Sequence, residues 1–184
     1  MKTELSADTA WLNVSGETSP PAPVAIKAPH CSLCLWPSAR LFSYYDEAVC
    51  PLCWLSFNLD SPSAAQGAIS WLPGMKTADV IQLQRLAIIA ARGGTKNQQR
   101  NGQRVIKWLL RHKRETENYW KTSRPAEFAT AMSRLHPTER MVLRKSLTGA
   151  HLIMPASAFD DLTLLLPADK TAEALLKTCY FPDL

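Results

Sequence analysis

The sequence predicts an α+β protein, mainly helical, in which a small four-cysteine module with short strands precedes a helical body. Three observations lead there. Four of the five cysteines form two C-x-x-C pairs, Cys31/Cys34 and Cys50/Cys53, with fifteen residues between them. From residue 78 onward, long stretches carry apolar side chains at helical spacing. Two short apolar runs, "AISWLP" (68–73) and "AHLIMP" (150–155), read as strands on either side of most of those helices. An apolar share of 46% and a charged share of 20% over 184 residues suit an ordinary globular chain with a core of its own. No run of eighteen apolar residues occurs, so the sequence predicts no membrane insertion.

Taken in order, residues 1–28 read as a flexible N-terminal arm. Its "SPPAP" run (19–23) favours extended, polyproline-like backbone and bars a helix. Residues 29–60 form the cysteine module, and "LFSYYDEAV" (41–49) is aromatic and β-branched enough for a hairpin between the two pairs. Residues 61–184 form the helical body, packed on the module as a single globular unit, with "SPSAAQG" (61–67) as a linker by composition.

Within the body, Thr77 is expected to cap a helix over 78–91, with Asp79 in its first turn and Gly93-Gly94 as its stop. Val80, Ile81, Leu83, Leu86, Ala87, Ile88, Ile89 and Ala90 wrap most of that helix, which places it at the centre of the core. A second helix is expected over 98–119, with Pro125 and Pro137 opening two shorter ones. Ser157 and Asp160 resemble a capping box, and the acidic pair Asp160-Asp161 reads as capping and solvation. The segment 170–184 supplies a last helix and an aromatic end.

The charge is unevenly placed. Between residues 96 and 124 stand nine Lys/Arg against two Glu, so the whole surplus behind the net charge of +5 lies in that segment. Arg100, Arg104, Lys107, Arg111 and Arg114 fall on one helical face. A concentrated positive face implies an anionic partner, either an acidic peptide or the phosphates of a nucleic acid. Trp36, Trp54, Trp71 and the Tyr44/Tyr45 pair are expected to cluster near the cysteine module and the strand after it, and aromatic side chains are favoured anchors at the centre of an interface.

The N-terminal stretch lacks the apolar core of an export signal, which predicts a reducing compartment where disulfides seldom persist. C-x2-C-x15-C-x2-C is the spacing of a four-thiolate zinc site, so Cys31, Cys34, Cys50 and Cys53 are the expected ligands of one structural Zn2+. Four thiolates leave no open position for a reactive water, and an enzyme is not expected. His30 borders the first pair and reads as a loop residue. His112, His136 and His151 read as surface or cap residues, and Cys179 as a buried apolar filler.

The paired cysteines, "ISWLPGMKTADVIQLQRLAIIA" (69–90), "WKTSRPAEFATAM" (120–132) and "GAHLIMP" (149–155) together resemble the DotN (IcmJ) family of Dot/Icm-type type IV secretion and related conjugative coupling complexes. The resemblance implies a zinc-stabilised adaptor that looks like a degenerate HNH nuclease module. It implies binding to the C-terminal tail of the coupling ATPase and to other coupling-complex subunits, in the bacterial cytoplasm and peripheral at the inner face of the inner membrane. HNH chemistry needs a histidine base in the loop after the first cysteine pair, and residues 35–49 hold neither histidine nor asparagine. The competing expectation from another class is a nucleic-acid-binding zinc protein acting in conjugative DNA processing or regulation.

Overall fold

Packing starts from the central helix that the apolar run predicted. In the computed structural model, which describes residues 11–15 and 22–178, this is α2 (Thr77–Gly93). Val80, Ala87, Ile88, Ile89 and Ala90 on it are fully buried. The architecture is α+β and mainly helical.

The chain enters through β1 (Ala25–Ile26), β2 (Leu41–Tyr44) and β3 (Glu47–Val49), an antiparallel sheet in the order β1-β2-β3. The expected hairpin is β2–β3, with Phe42 opposite Val49 and Tyr44 opposite Glu47. Helix α1 (Pro51–Phe57) follows at once, with every residue buried.

A second, two-stranded sheet joins β4 (Ala68–Trp71) to β5 (Ala150–Ile153) across the length of the body. Helices α3 (Lys96–Arg111) and α4 (Lys113–Trp120) pack on β4, while α1, α2 and α3 all touch β5. Strand β5 is buried throughout, which is why it reads as a continuous run rather than an alternation. Helices α5 (Pro125–Ser133) and α6 (Pro137–Ser146) start at the two expected prolines, and α7 (Ala172–Thr178) ends the described chain.

Helix α3 can approach α2 closely only because position 102 is glycine. A Cβ there would stand 2.5 Å from the Ala87 carbonyl oxygen and 2.7 Å from the Ala91 nitrogen. Contact on that side turns Arg100, Arg104, Lys107 and Arg111 outward, and all four are exposed.

Several expectations are corrected. The helix expected over 98–119 is two helices. The His112 carbonyl leaves the helical ladder and accepts from the Trp71 amide of β4 at 3.3 Å, and the chain kinks there. The first of the two starts earlier than expected because Thr95 and Gln98 form a reciprocal capping box. Thr77 is not a cap: α2 begins on it, and Lys76 is the preceding residue in extended conformation.

The supposed linker 61–67 is ordered, with Ala64 buried and the Ser61 hydroxyl accepting from the Ala64 amide. Asp161, rather than the Ser157/Asp160 pair, caps a 3-10 turn by accepting from the Thr163 amide, and Asp160 pairs with Arg92 at 3.1 Å. The arm is docked where it is described. Trp11, Leu12 and Val14 are buried, and the Asn13 backbone bonds to Ser56 and Leu59 of the module. His136 does cap α6, but His151 is no surface residue: it lies buried in β5 opposite Ser70. Cys179 and the aromatic end lie outside the described residues.

Candidate metal centre

The first cysteine pair sits in a tight turn. The Leu35 amide bonds back to the Cys31 carbonyl, and the Cys31 amide bonds to the Trp36 carbonyl. Leu35 takes left-handed backbone (φ 58°) to close the turn. The second pair belongs to α1. Cys50 precedes the helix in extended conformation, Pro51 opens it with a φ already suited to it, and Cys53 falls in its first turn. The hairpin sets one pair against the other, and the Ser32 amide bonds to the Ala48 carbonyl of β3.

The four sulfurs lie within 4.8 Å of one another, and all four cysteines are buried. Cys31 Sγ stands 3.7 Å from Cys53 Sγ, and Cys34 Sγ 3.7 Å from Cys50 Sγ. Disulfide sulfurs would be about 2.0 Å apart. Four ligands at about 2.3 Å in a tetrahedron have edges of about 3.8 Å. The residues therefore fit a four-coordinate metal ion, and the spacing is compatible with zinc. His30 is exposed and outside the set.

Without metal the four thiols share protons unequally. Hydrogen bonds with Cys31, Cys50 and Cys53 hold the Cys34 thiol far below its ordinary range, and the Arg85 charge adds to this. Burial pushes Cys50 and Cys53 well up. A metal ion entering such a site would have to displace those protons, which would make binding weaker as pH falls.

Sequence reasoning missed the groups that join this centre to the body. Arg85 of α2 is 1% exposed. Its Nη2 donates to Cys50 Sγ at 2.8 Å and to Cys34 Sγ at 3.3 Å, and its guanidinium lies over the Trp36 ring at 4.7 Å. Burial opposes the charge on Arg85, but Cys50 and Cys34 outweigh it, so its proton is held more tightly than usual. Gln82 Nε2 donates to the Cys34 carbonyl, and Trp36 Nε1 to the Leu165 carbonyl. Arg85 and Gln82 lie on a helix that reads as apolar nearly all round. The one available signal was an arginine inside an otherwise buried run.

The aromatic residues do not form one cluster. Trp36 is half-buried over Arg85. Trp54 is buried edge-on to Phe42, and Tyr44 lies between Tyr45 and Phe57. Trp71 packs far along the sequence with Tyr119 and Trp120 of α4. Trp54 and Phe42 instead line an apolar groove of about 370 Å³ between module and body, shared with Pro23, Leu55, Met154 and Phe159.

The row Arg100, Arg104, Lys107, Arg111 and Arg114 is exposed as expected. It is joined by Trp108, 45% exposed with its ring against His112 at 5.0 Å, which the charge pattern alone did not single out. Among the described residues, no helix is long and apolar enough to cross a membrane.

The fold and this centre define a class: a mainly helical α+β protein with a buried four-cysteine cluster that could hold a metal ion. In comparison with known proteins, no family model matches the chain, and no curated protein matches it.

Proposed function

We propose that this protein is a non-enzymatic adaptor of a type IV secretion or conjugation coupling complex, stabilised by one structural zinc ion on Cys31, Cys34, Cys50 and Cys53. In this reading it binds the C-terminal tail of the coupling ATPase and neighbouring subunits, in the bacterial cytoplasm at the inner face of the inner membrane.

The observation that carries the non-enzymatic part is the closure of the centre. Four buried sulfurs within 4.8 Å of one another would fill every position of a tetrahedral zinc ion and leave none for a reactive water. The loop between the pairs offers no histidine, and the buried His151 is not part of the four-residue ligand set. The adaptor part is supported by the groove at Trp54, Phe42, Met154 and Phe159, which suits the apolar anchors of an extended tail. The family resemblance supplies the identity of that tail.

Calorimetric titration of the protein with a peptide of the coupling ATPase's C-terminal tail is the test. Binding that Met154→Asp weakens tenfold or more, with zinc content unchanged, is expected. A tail that does not bind the wild-type protein sinks the adaptor reading.

A nucleic-acid reading is favoured by one specific observation, the exposed Trp108 beside Arg104 and Arg111 on α3. A cationic row with an exposed aromatic plane suits phosphates and a stacked base. Arg104→Glu with Arg111→Glu separates the two. Loss of duplex or single-stranded DNA affinity with unchanged tail binding assigns this face to nucleic acid. Slower tail association with a flatter salt dependence assigns it to steering an acidic partner.

A further inference from the structure

A guanidinium that is 1% exposed requires a counter-charge, and in most proteins a carboxylate supplies it. Among the described residues none does: Arg85 is in none of the ion pairs they show with one another, such as Arg92–Asp160 and Arg124–Glu127. Its Nη1 is buried with no hydrogen-bond partner. The polar contacts it does make run from Nη2 to two sulfurs, Cys50 Sγ at 2.8 Å and Cys34 Sγ at 3.3 Å. One sulfur comes from each cysteine pair, so a single amino group bridges the two halves of the site. The Trp36 ring beneath the guanidinium, at 4.7 Å, fixes its plane and adds a favourable face for a cation.

We infer that Arg85 is the built-in counter-cation of the four-thiolate centre: it neutralises part of the centre's charge, orients Cys34 and Cys50, and thereby couples metal binding to the seating of α2. This rests on reading the four cysteines as a zinc site. Four thiolates around a divalent ion carry a net charge of −2, and burying that charge away from water is unfavourable. One fixed positive charge halves it. N–H donors on ligating sulfurs also lower their tendency to leave with a proton or attack an electrophile. The geometry selects arginine over lysine, because a planar fork can reach two sulfurs and lie flat on an indole, and an ammonium cannot do both.

The coupling runs both ways. Loss of the metal would free the two cysteine pairs that Arg85 Nη2 bridges, so metal loss disturbs the central helix as well as the module. The same helix holds the Cys34 carbonyl through Gln82 and the end of β5 through Gln84, whose amide bonds to Leu152 and Met154. Loosening α2 at Arg85 therefore reaches the wall of the apolar groove that contains Met154.

The experiment uses the full chain. Zinc content of the wild-type protein is measured first, and then zinc affinity and release to a chromogenic chelator for wild type, Arg85→Lys and Arg85→Met. Zinc binding about 10- to 100-fold weaker in Arg85→Met is expected, with Arg85→Lys between the two. Cobalt-substituted protein gives a readout that side-chain packing would not move. Removing the N–H donors should shift the sulfur-to-cobalt charge-transfer band to lower energy in Arg85→Met.

If wild type holds zinc and Arg85→Met matches it in affinity and in charge-transfer energy, the inference is overturned while the zinc site stands. If wild type holds no zinc, the site reading itself fails, and this inference fails with it. Should Arg85→Met not fold even at saturating zinc, Arg85→Lys decides. Intermediate release and a shifted band support the inference, and wild-type values for both overturn it.

Discussion

The cysteine module and the α2–α3 pair occupy one molecule but hold together by different means. The module, from Cys31 to Phe57, has a hairpin of seven paired-strand residues and one short helix. So few elements bury too little apolar surface to fold alone, and in the proposed reading a metal ion supplies the missing free energy. The α2–α3 pair is held by shape, with two long helices in contact through Gly102 and a line of fully buried Val80, Ile81, Ala87, Ile88 and Ile89. The first region depends on its four cysteines in addition to the few buried side chains between them, such as Leu41, Val49 and Leu52. The second tolerates changes on its outer face and punishes any change of volume inside.

The largest effect expected from this comparison is in the module. Cys50→Ser removes a ligand from a site whose metal binding contributes on the order of 10 kcal/mol in small zinc domains. The variant should lose its zinc and its module structure, seen as elemental analysis without metal and loss of the Phe42/Trp54 near-ultraviolet signal. A Cys50→Ser protein that keeps stoichiometric zinc and wild-type stability would break the comparison on its first side.

Next comes the body. Ile88→Ala opens a cavity in a fully buried position and should cost about 2–5 kcal/mol in denaturant unfolding. The purified variant should still hold its zinc, because Ile88 touches none of the ligands' hydrogen bonds. Loss of zinc from this variant would show that core packing around Ile88, beyond the Arg85 contacts to Cys34 and Cys50, is needed to hold the centre.

A smaller effect concerns His151, where strand β5 joins the two regions. Burial keeps this ring neutral and pushes its pKa down from 6.5 to about 4. The unfolded chain binds the extra proton between those values. The stability that the neutral ring permits is therefore fully present above about pH 6.5 and is lost as pH falls toward 4. Between pH 7 and pH 5 the wild type should lose about 2 kcal/mol relative to His151→Leu. The comparison with the variant cancels the separate weakening of metal binding in acid. Parallel pH profiles for the two proteins would rule this out.

How much of this was legible in the sequence follows the same division. The four-cysteine cluster was readable because a C-x-x-C pair is a local device, and its spacing fixes where two sulfurs can point. The strands "AISW" and "AHLI" and the proline-started helices were readable because each is a local pattern. What escaped depended on partners distant in the chain. The kink at His112 exists because its carbonyl bonds to Trp71, forty-one residues earlier. Arg85 and Gln84 are buried because Cys34, Cys50, Leu152 and Met154 wait for them, and helical periodicity cannot show that. Trp71 lies in the strand after the module as its sequence suggests, but the α4 segment packs on it through Tyr119 and Trp120, which local pattern does not show.

The central claim is that a metal ion on four thiolates holds the module while packing holds the body. Metal content and thiol reactivity of freshly purified protein, measured together before and after a chelator, test it most directly. The account predicts about one zinc per chain, with Cys31, Cys34, Cys50 and Cys53 unreactive toward a thiol reagent until the chelator removes the metal. Protein that carries no stoichiometric metal, is folded, and shows all four cysteines freely reactive would contradict it.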